Sequence, residues 1–176
     1  MRILTLSICL ILTQSAISQS PTATYPAAIS SRKEIYTATK CQLLDWYRKS
    51  DNITPPTGFI PGRVLPFPGK RINKPVSTIM HLTVWQGKVF CTNESMINKM
   101  FGVKMAPGVV GVENGFLDGR PSITINYPKS LIFGAYRDEI REIAPGIYLG
   151  LMYNIKSDCP VLTSYFILES RCCCQK

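Results

Sequence analysis

The sequence predicts a mainly β protein, an antiparallel meander that closes into a small barrel with one or two short helices and a proline-rich N-terminal segment. Three observations carry this. From Arg120 to Tyr127, Pro121, Ile123, Ile125 and Tyr127 alternate with Arg120, Ser122, Thr124 and Asn126, the pattern of a half-buried antiparallel strand. Further short runs follow at regular spacing, divided by turn signals such as Asp118-Gly119 and Ala144-Pro145-Gly146. The chain has 176 residues, enough for about one domain with a real core, and no internal repeat or low-complexity tract.

Residues 1–18 read as a signal peptide. Arg2 precedes the apolar run Ile3 to Thr13, and Ala16-Ile17-Ser18 supplies small residues for cleavage before Gln19. The run is too short to span a bilayer, which takes about 20 apolar residues. The expectation is a secreted, extracellular protein with no membrane anchor. Cys9 leaves with the signal, and six cysteines remain: Cys41, Cys91, Cys159, Cys172, Cys173 and Cys174. An even count in a small exported chain suggests three disulfides, in any of 15 pairings. Adjacent cysteines seldom bond each other, so the expectation is that Cys172 to Cys174 reach back to the other three. Asn52-Ile53-Thr54 and Asn93-Glu94-Ser95 fit the N-glycosylation pattern, the first weakened by Pro55.

Residues 19–77 divide into a disordered leader, a helix and a proline-rich stretch. Ser31-Arg32-Lys33-Glu34 has the form of a capping box, and Arg32 to Tyr47 reads as a helix. Asp51 to Val76 holds Pro55, Pro56, Pro61, Pro66, Pro68 and Pro75, so it reads as extended and irregular. Within it, Gly69-Lys70-Arg71 resembles a peptide-processing site but reads better as a charged loop. The barrel is expected over residues 78–170. It would open with a strand in which Met80, Leu82 and Val84 alternate with His81, Thr83 and Trp85. A strand resuming at Lys88-Val89-Phe90, a short helix from Asn93 to Phe101 and a strand near Val109 to Glu113 follow. After the strand from Arg120 to Tyr127 come Leu131 to Ile143, Gly146 to Tyr153 and Val161 to Leu168. Residues 171–176 form a cysteine-rich tail.

The net charge of +9 suits acidic polymers, anionic surfaces or acidic ligands. No nucleic-acid motif or 5–8-residue basic block accompanies it. No zinc-type Cys/His spacing, Gly-x-Ser-x-Gly, His-Glu-x-x-His or P-loop is present, so no metal or cofactor is implied. Asp118 with Glu139 or Glu142 could form a carboxylate pair, but no nucleophile, base and orienter can be named together. The reading is therefore non-enzymatic.

Arg137-Asp138-Glu139-Ile140-Arg141-Glu142 is the most unusual segment. Strand alternation puts Arg137, Glu139 and Arg141 on one face, and Asp138, Ile140 and Glu142 on the other. The first face is either a solvated, charge-paired surface or part of a pocket. If the strand began at Leu131, the face would continue Phe133 and Ala135. Tyr127, Arg137, Glu139, Arg141 and Tyr148 are then the candidate ligand-binding residues, with guanidinium groups suited to an acidic ligand.

Trp85-Gln86-Gly87-Lys88-Val89-Phe90, Asn98, Leu117-Asp118-Gly119-Arg120-Pro121, Ile123 to Tyr127, the Arg137 to Glu142 segment and Pro145-Gly146-Ile147-Tyr148-Leu149-Gly150 occur in that order. Over residues 78–168 this resembles a family of small calycin-like (lipocalin-like barrel) proteins. The resemblance implies a barrel and binding of a small apolar or acidic ligand, with no catalytic residue to carry over. Two alternatives follow from the residues: a structural component of an extracellular matrix such as shell or cuticle, binding anionic polymers or mineral, and a small-ligand enzyme within the barrel.

Overall fold

A computed structural model describes residues 29, 32–91 and 94–170. The signal segment, Asn93 and Cys172 to Cys174 lie outside the described residues. Among the described residues eight strands run in sequence order: β1 Gly58–Val64, β2 Trp85–Cys91, β3 Ser95–Met100, β4 Val103–Asn114, β5 Pro121–Asn126, β6 Tyr136–Ala144, β7 Ile147–Asn154 and β8 Val161–Glu169. Each pairs antiparallel with the next, and β8 pairs with β1 through Gly62 opposite Leu168 and Val64 opposite Phe166. The barrel is closed, so no strand edge is left to pair with another chain. Among the described residues three helices accompany it: α1 Arg32–Thr37, α2 Lys40–Lys49 and α3 Asn73–Thr83.

Three expectations are corrected. The barrel begins at Gly58, inside the proline-rich stretch. β1 carries Pro61, and its missing N–H is tolerated where the strand passes from pairing with β2 to pairing with β8. The run read as a strand from Met80 is helical. Pro75 stands in the first turn of α3, where a missing N–H costs nothing. Asn73 anchors that turn, donating to Tyr36 O at 2.8 Å and accepting from Phe67 N at 3.0 Å. The segment read as a helix from Asn93 is strand β3, whose buried Met96 and Asn98 alternate inward between β2 and β4. Its apolar spacing suits either structure, and cross-strand pairing decides.

The expected helix from Arg32 is broken at Ala38 and Thr39. Thr39 caps α2: its hydroxyl accepts from Gln42 N, and the Gln42 carboxamide accepts from Thr39 N, so the observed capping box lies eight residues after the expected one. The last three strands fall where the alternation puts them, except that β6 starts at Tyr136 because Tyr127 to Gly134 forms turns.

Alternation sorts the apolar residues into two cores. Ile60, Phe90, Met96, Ile123, Ile125, Ile140, Tyr148, Phe166 and Leu168 fill the barrel interior. Ile143, Leu149, Leu151, Tyr165 and Ile167 point outward and are covered by Ile35, Leu43, Trp46 and Tyr47 of α1 and α2. Antiparallel order places α3, the β3–β4 turn, the β5–β6 loop and the β7–β8 loop at one end of the barrel.

One interior position needs glycine for space. A Cβ at Gly150 would stand 2.0 Å from the Phe166 ring. Gly150→Ala should therefore push Phe166 off its place and cost about 1–3 kcal/mol of unfolding free energy, as overpacking does. A denaturant titration matching that of the native chain would contradict this.

Candidate functional site

A cavity of about 160 Å³ lies inside the barrel at the α3 end. Its wall is mostly apolar: Val64, Met80, Val84, Trp85, Met100, Phe133, Met152 and Phe166, with Ser164 beside them. One polar group interrupts it, made of Lys88, Asn98, Tyr127 and Asp138. An apolar cavity of about 150 Å³ admits a benzene-sized guest, so the space suits one ring or a short chain.

Lys88 sits on the inward parity of β2 between Trp85 and Phe90 and is 2 % exposed. Its ammonium makes three bonds: to Asp138 Oδ2 at 2.7 Å, Tyr127 Oη at 2.7 Å and Asn98 Oδ1 at 3.1 Å. Tyr127 in turn donates to Asp138 Oδ2 at 2.5 Å. Asn98 also accepts from Trp85 Nε1 at 3.0 Å and donates to Ala106 O at 3.1 Å, which fixes which end of its amide faces Lys88. The nitrogen lies 5.2–5.5 Å from the ring centres of Phe166, Tyr127 and Trp85, within cation–π range of all three. Burial pulls the Lys88 ammonium below its ordinary range, against the pull of Asp138 in the other direction. Burial and the neighbouring Asp138 charge hold the Tyr127 phenol well above its ordinary range. The site is thus a desolvated amine with a carboxylate partner, at the wall of an apolar hole.

Of the residues expected to bind ligand, Tyr127 lines this cavity, and Tyr148 is buried in the interior core without lining it. Arg137, Glu139 and Arg141 share one face, as alternation requires, but that face is the outer one. It is not solvated: all three are buried beneath α2 and the β4–β5 loop. Arg141 holds Asp118 with both arms, at 2.7 and 2.8 Å, and donates to the carbonyls of Tyr47, Arg120 and Pro121 and to Ser122 Oγ. Its guanidinium lies 4.5 Å from the centre of the Tyr47 ring. Arg137 pairs with Glu113 at 2.9 Å and Glu139 at 3.3 Å, and Glu139 accepts from Phe116 N. These charges clamp the β4–β5 loop onto β6. Asp118 and Glu139, considered above as a catalytic pair, are both committed to that clamp.

The two carboxyls respond to pH with opposite signs. Burial raises Glu139 above its ordinary range, so its ionised form costs stability that returns as pH falls. Burial acts to raise Asp118 too, but the bonds from Arg141 and the Arg120 N–H outweigh it and hold Asp118 below its ordinary value. Its stabilisation is complete above the unfolded pKa and is lost as pH falls through the folded one. Asp118→Asn should therefore flatten the acid limb of the stability curve below about pH 4. Urea unfolding measured at several pH values would show it, and an unchanged slope would count against the clamp.

The remaining expected residues are placed as follows. Cys41, Cys91 and Cys159 are exposed, and no disulfide occurs among the described residues. Asn52 bridges to Glu142, and its amide nitrogen, the atom a glycan would take, donates to the Glu142 carboxylate. His81 lies on α3 and bonds Gly62 O at 2.7 Å through Nδ1. No helix among the described residues is long and apolar enough to cross a membrane.

Sequence reasoning named Tyr127 but missed Lys88, Asn98 and Asp138. The signal was present in the parity: Lys88 shares a face with Phe90, and Asp138 shares one with Ile140. A charge set among inward apolar positions on two strands needs an opposite charge nearby.

No family model matches the chain. No curated protein matches it either. A solved structure, the crystal structure of a protein from Thermomonospora curvata, resembles it with a TM-score of 0.41 and 12% identity, over 79% of this chain and 82% of that one.

Proposed function

We propose that this chain is an exported binding protein whose barrel holds a small, largely apolar molecule, one ring or a short chain in size, with a single polar group placed against Lys88. The observation that carries the reading is the apolar cavity with one polar cluster in its wall. Ligand sites have this composition: an apolar lining for affinity and a few placed polar groups for orientation. Small closed barrels commonly hold one such ligand, which is also what the calycin-like motifs imply. Lys88 and Asp138 cancel in charge, so the favoured guest is neutral, with an oxygen that takes the place of Asn98, the most distant of the ammonium's three present acceptors. The apolar run at residues 3–13 supports export. The exposed positions of Cys41, Cys91 and Cys159 leave them open to bridging by the cysteines of the tail.

The test is calorimetric titration of the full chain with benzyl alcohol and 1-hexanol, alongside a Met100→Trp variant that fills the cavity. Saturable binding to the native chain and none to the variant is expected. Absence of binding by both alcohols, or equal binding by the variant, would overturn the reading.

A further inference from the structure

We propose that Lys88 is a covalent site, forming a reversible imine with a small apolar aldehyde held in the barrel cavity. The inference rests on the cavity being a ligand site and adds the chemical class of the ligand. Geometry supplies each element of the reaction. The amine nitrogen borders the cavity that would hold the aldehyde's apolar part. Asp138 stands 2.7 Å from that nitrogen as a ready counter-ion. Three aromatic rings surround the cation at 5.2–5.5 Å and can stabilise an iminium as they do the ammonium. The apolar wall disfavours free water, which limits hydrolysis of the product.

The step balances without any further reagent. Lys88 Nζ attacks the carbonyl carbon, forming a C–N bond. The two protons that the nitrogen gives up end on the former carbonyl oxygen, relayed by the Asp138 and Tyr127 oxygens that share a hydrogen bond with it and with each other. The C–O bond breaks and water leaves. The nitrogen keeps one proton and the positive charge, so the ion pair with Asp138 persists through the reaction and no charge is created or lost. Nothing is oxidised or reduced. Burial favours the attack, because it lowers the proton affinity of Lys88 and so raises the share of free amine at neutral pH.

The experiment incubates the full-length chain with benzaldehyde at neutral pH, reduces it with borohydride and maps the benzyl adduct by peptide mass spectrometry. A single dominant adduct on Lys88 is expected, with loss of that adduct in Lys88→Arg and competition by excess benzyl alcohol. Labelling spread over surface lysines with Lys88 unmodified overturns the proposal. Benzyl alcohol serves to separate the two claims. Should it bind while Lys88 stays unlabelled, the cavity is a ligand site and the imine is wrong. Should neither bind, both fall. Should the Arg variant not fold, the native-chain map with and without benzyl alcohol decides alone.

Discussion

Arg141→Met should lower the unfolding free energy by about 3–5 kcal/mol, the cost of breaking a buried ion pair from one side. The substitution keeps the length of the side chain and removes its five donors. Asp118 then loses both bonds from the guanidinium and keeps only the one from Arg120 N–H, and the carbonyls of Tyr47, Arg120 and Pro121 lose a shared partner. The effect should spread along the β4–β5 loop and α2, since Arg141 joins both to β6. Arg141→Lys should recover only part of the loss, because a point charge cannot reproduce the fork that grips both Asp118 oxygens. Urea unfolding measures the free energy, and hydrogen exchange at residues 115–120 locates it. A loss under about 1 kcal/mol, the scale of an exposed pair, would show that the clamp is a surface feature.

The second large effect lies inside the barrel. Lys88→Met leaves Asp138 buried without its cation and should also cost about 3–5 kcal/mol. Adding Asp138→Leu should restore most of that, since a buried pair replaced by apolar side chains is often neutral or stabilising. The double variant thus separates two roles. If the pair exists for stability, the double variant stays as weak as the single one. If it exists for the ligand, the double variant folds well and loses its binding of benzyl alcohol's oxygen. The native pair also sets a pH trend. Burial lowers Lys88, so the unfolded chain binds its proton more readily, and stability rises with pH between the folded value and the ordinary lysine range. Asp138→Asn, leaving burial unopposed, should extend that rise to lower pH.

How much of this was legible depended on what each residue answers to. The alternation of Ile123, Ile125 and Tyr127 is local and marks β5 correctly. Arg137, Glu139 and Arg141 share a face for the same reason. Which face it was depended on Phe133 and Ala135, and the turns from Tyr127 to Gly134 break the strand before it reaches them. Alternation fixes only relative sides; α2 and the β4–β5 loop decide which side is covered, and those contacts are distant in sequence. Met80, Leu82 and Val84 misled in the opposite way. Their spacing fits a strand, yet Pro75 and the Asn73 anchor begin a helix several residues upstream. Lys88 and Asp138 are 50 residues apart, so neither could be matched to the other without the barrel's register.

The outward-facing core has a consequence for how this barrel can change. Leu149, Leu151, Tyr165 and Ile167 on one side of the sheet, with Leu43, Trp46 and Tyr47 of α2 against them, place much of the apolar burial outside the cylinder. The lumen is relieved of having to be solid. Side chains at its α3 end, such as Met100, Met152 and Phe133, can be exchanged for larger or smaller ones while the scaffold is held from without. Guest size in this architecture is a variable that selection can adjust separately from folding.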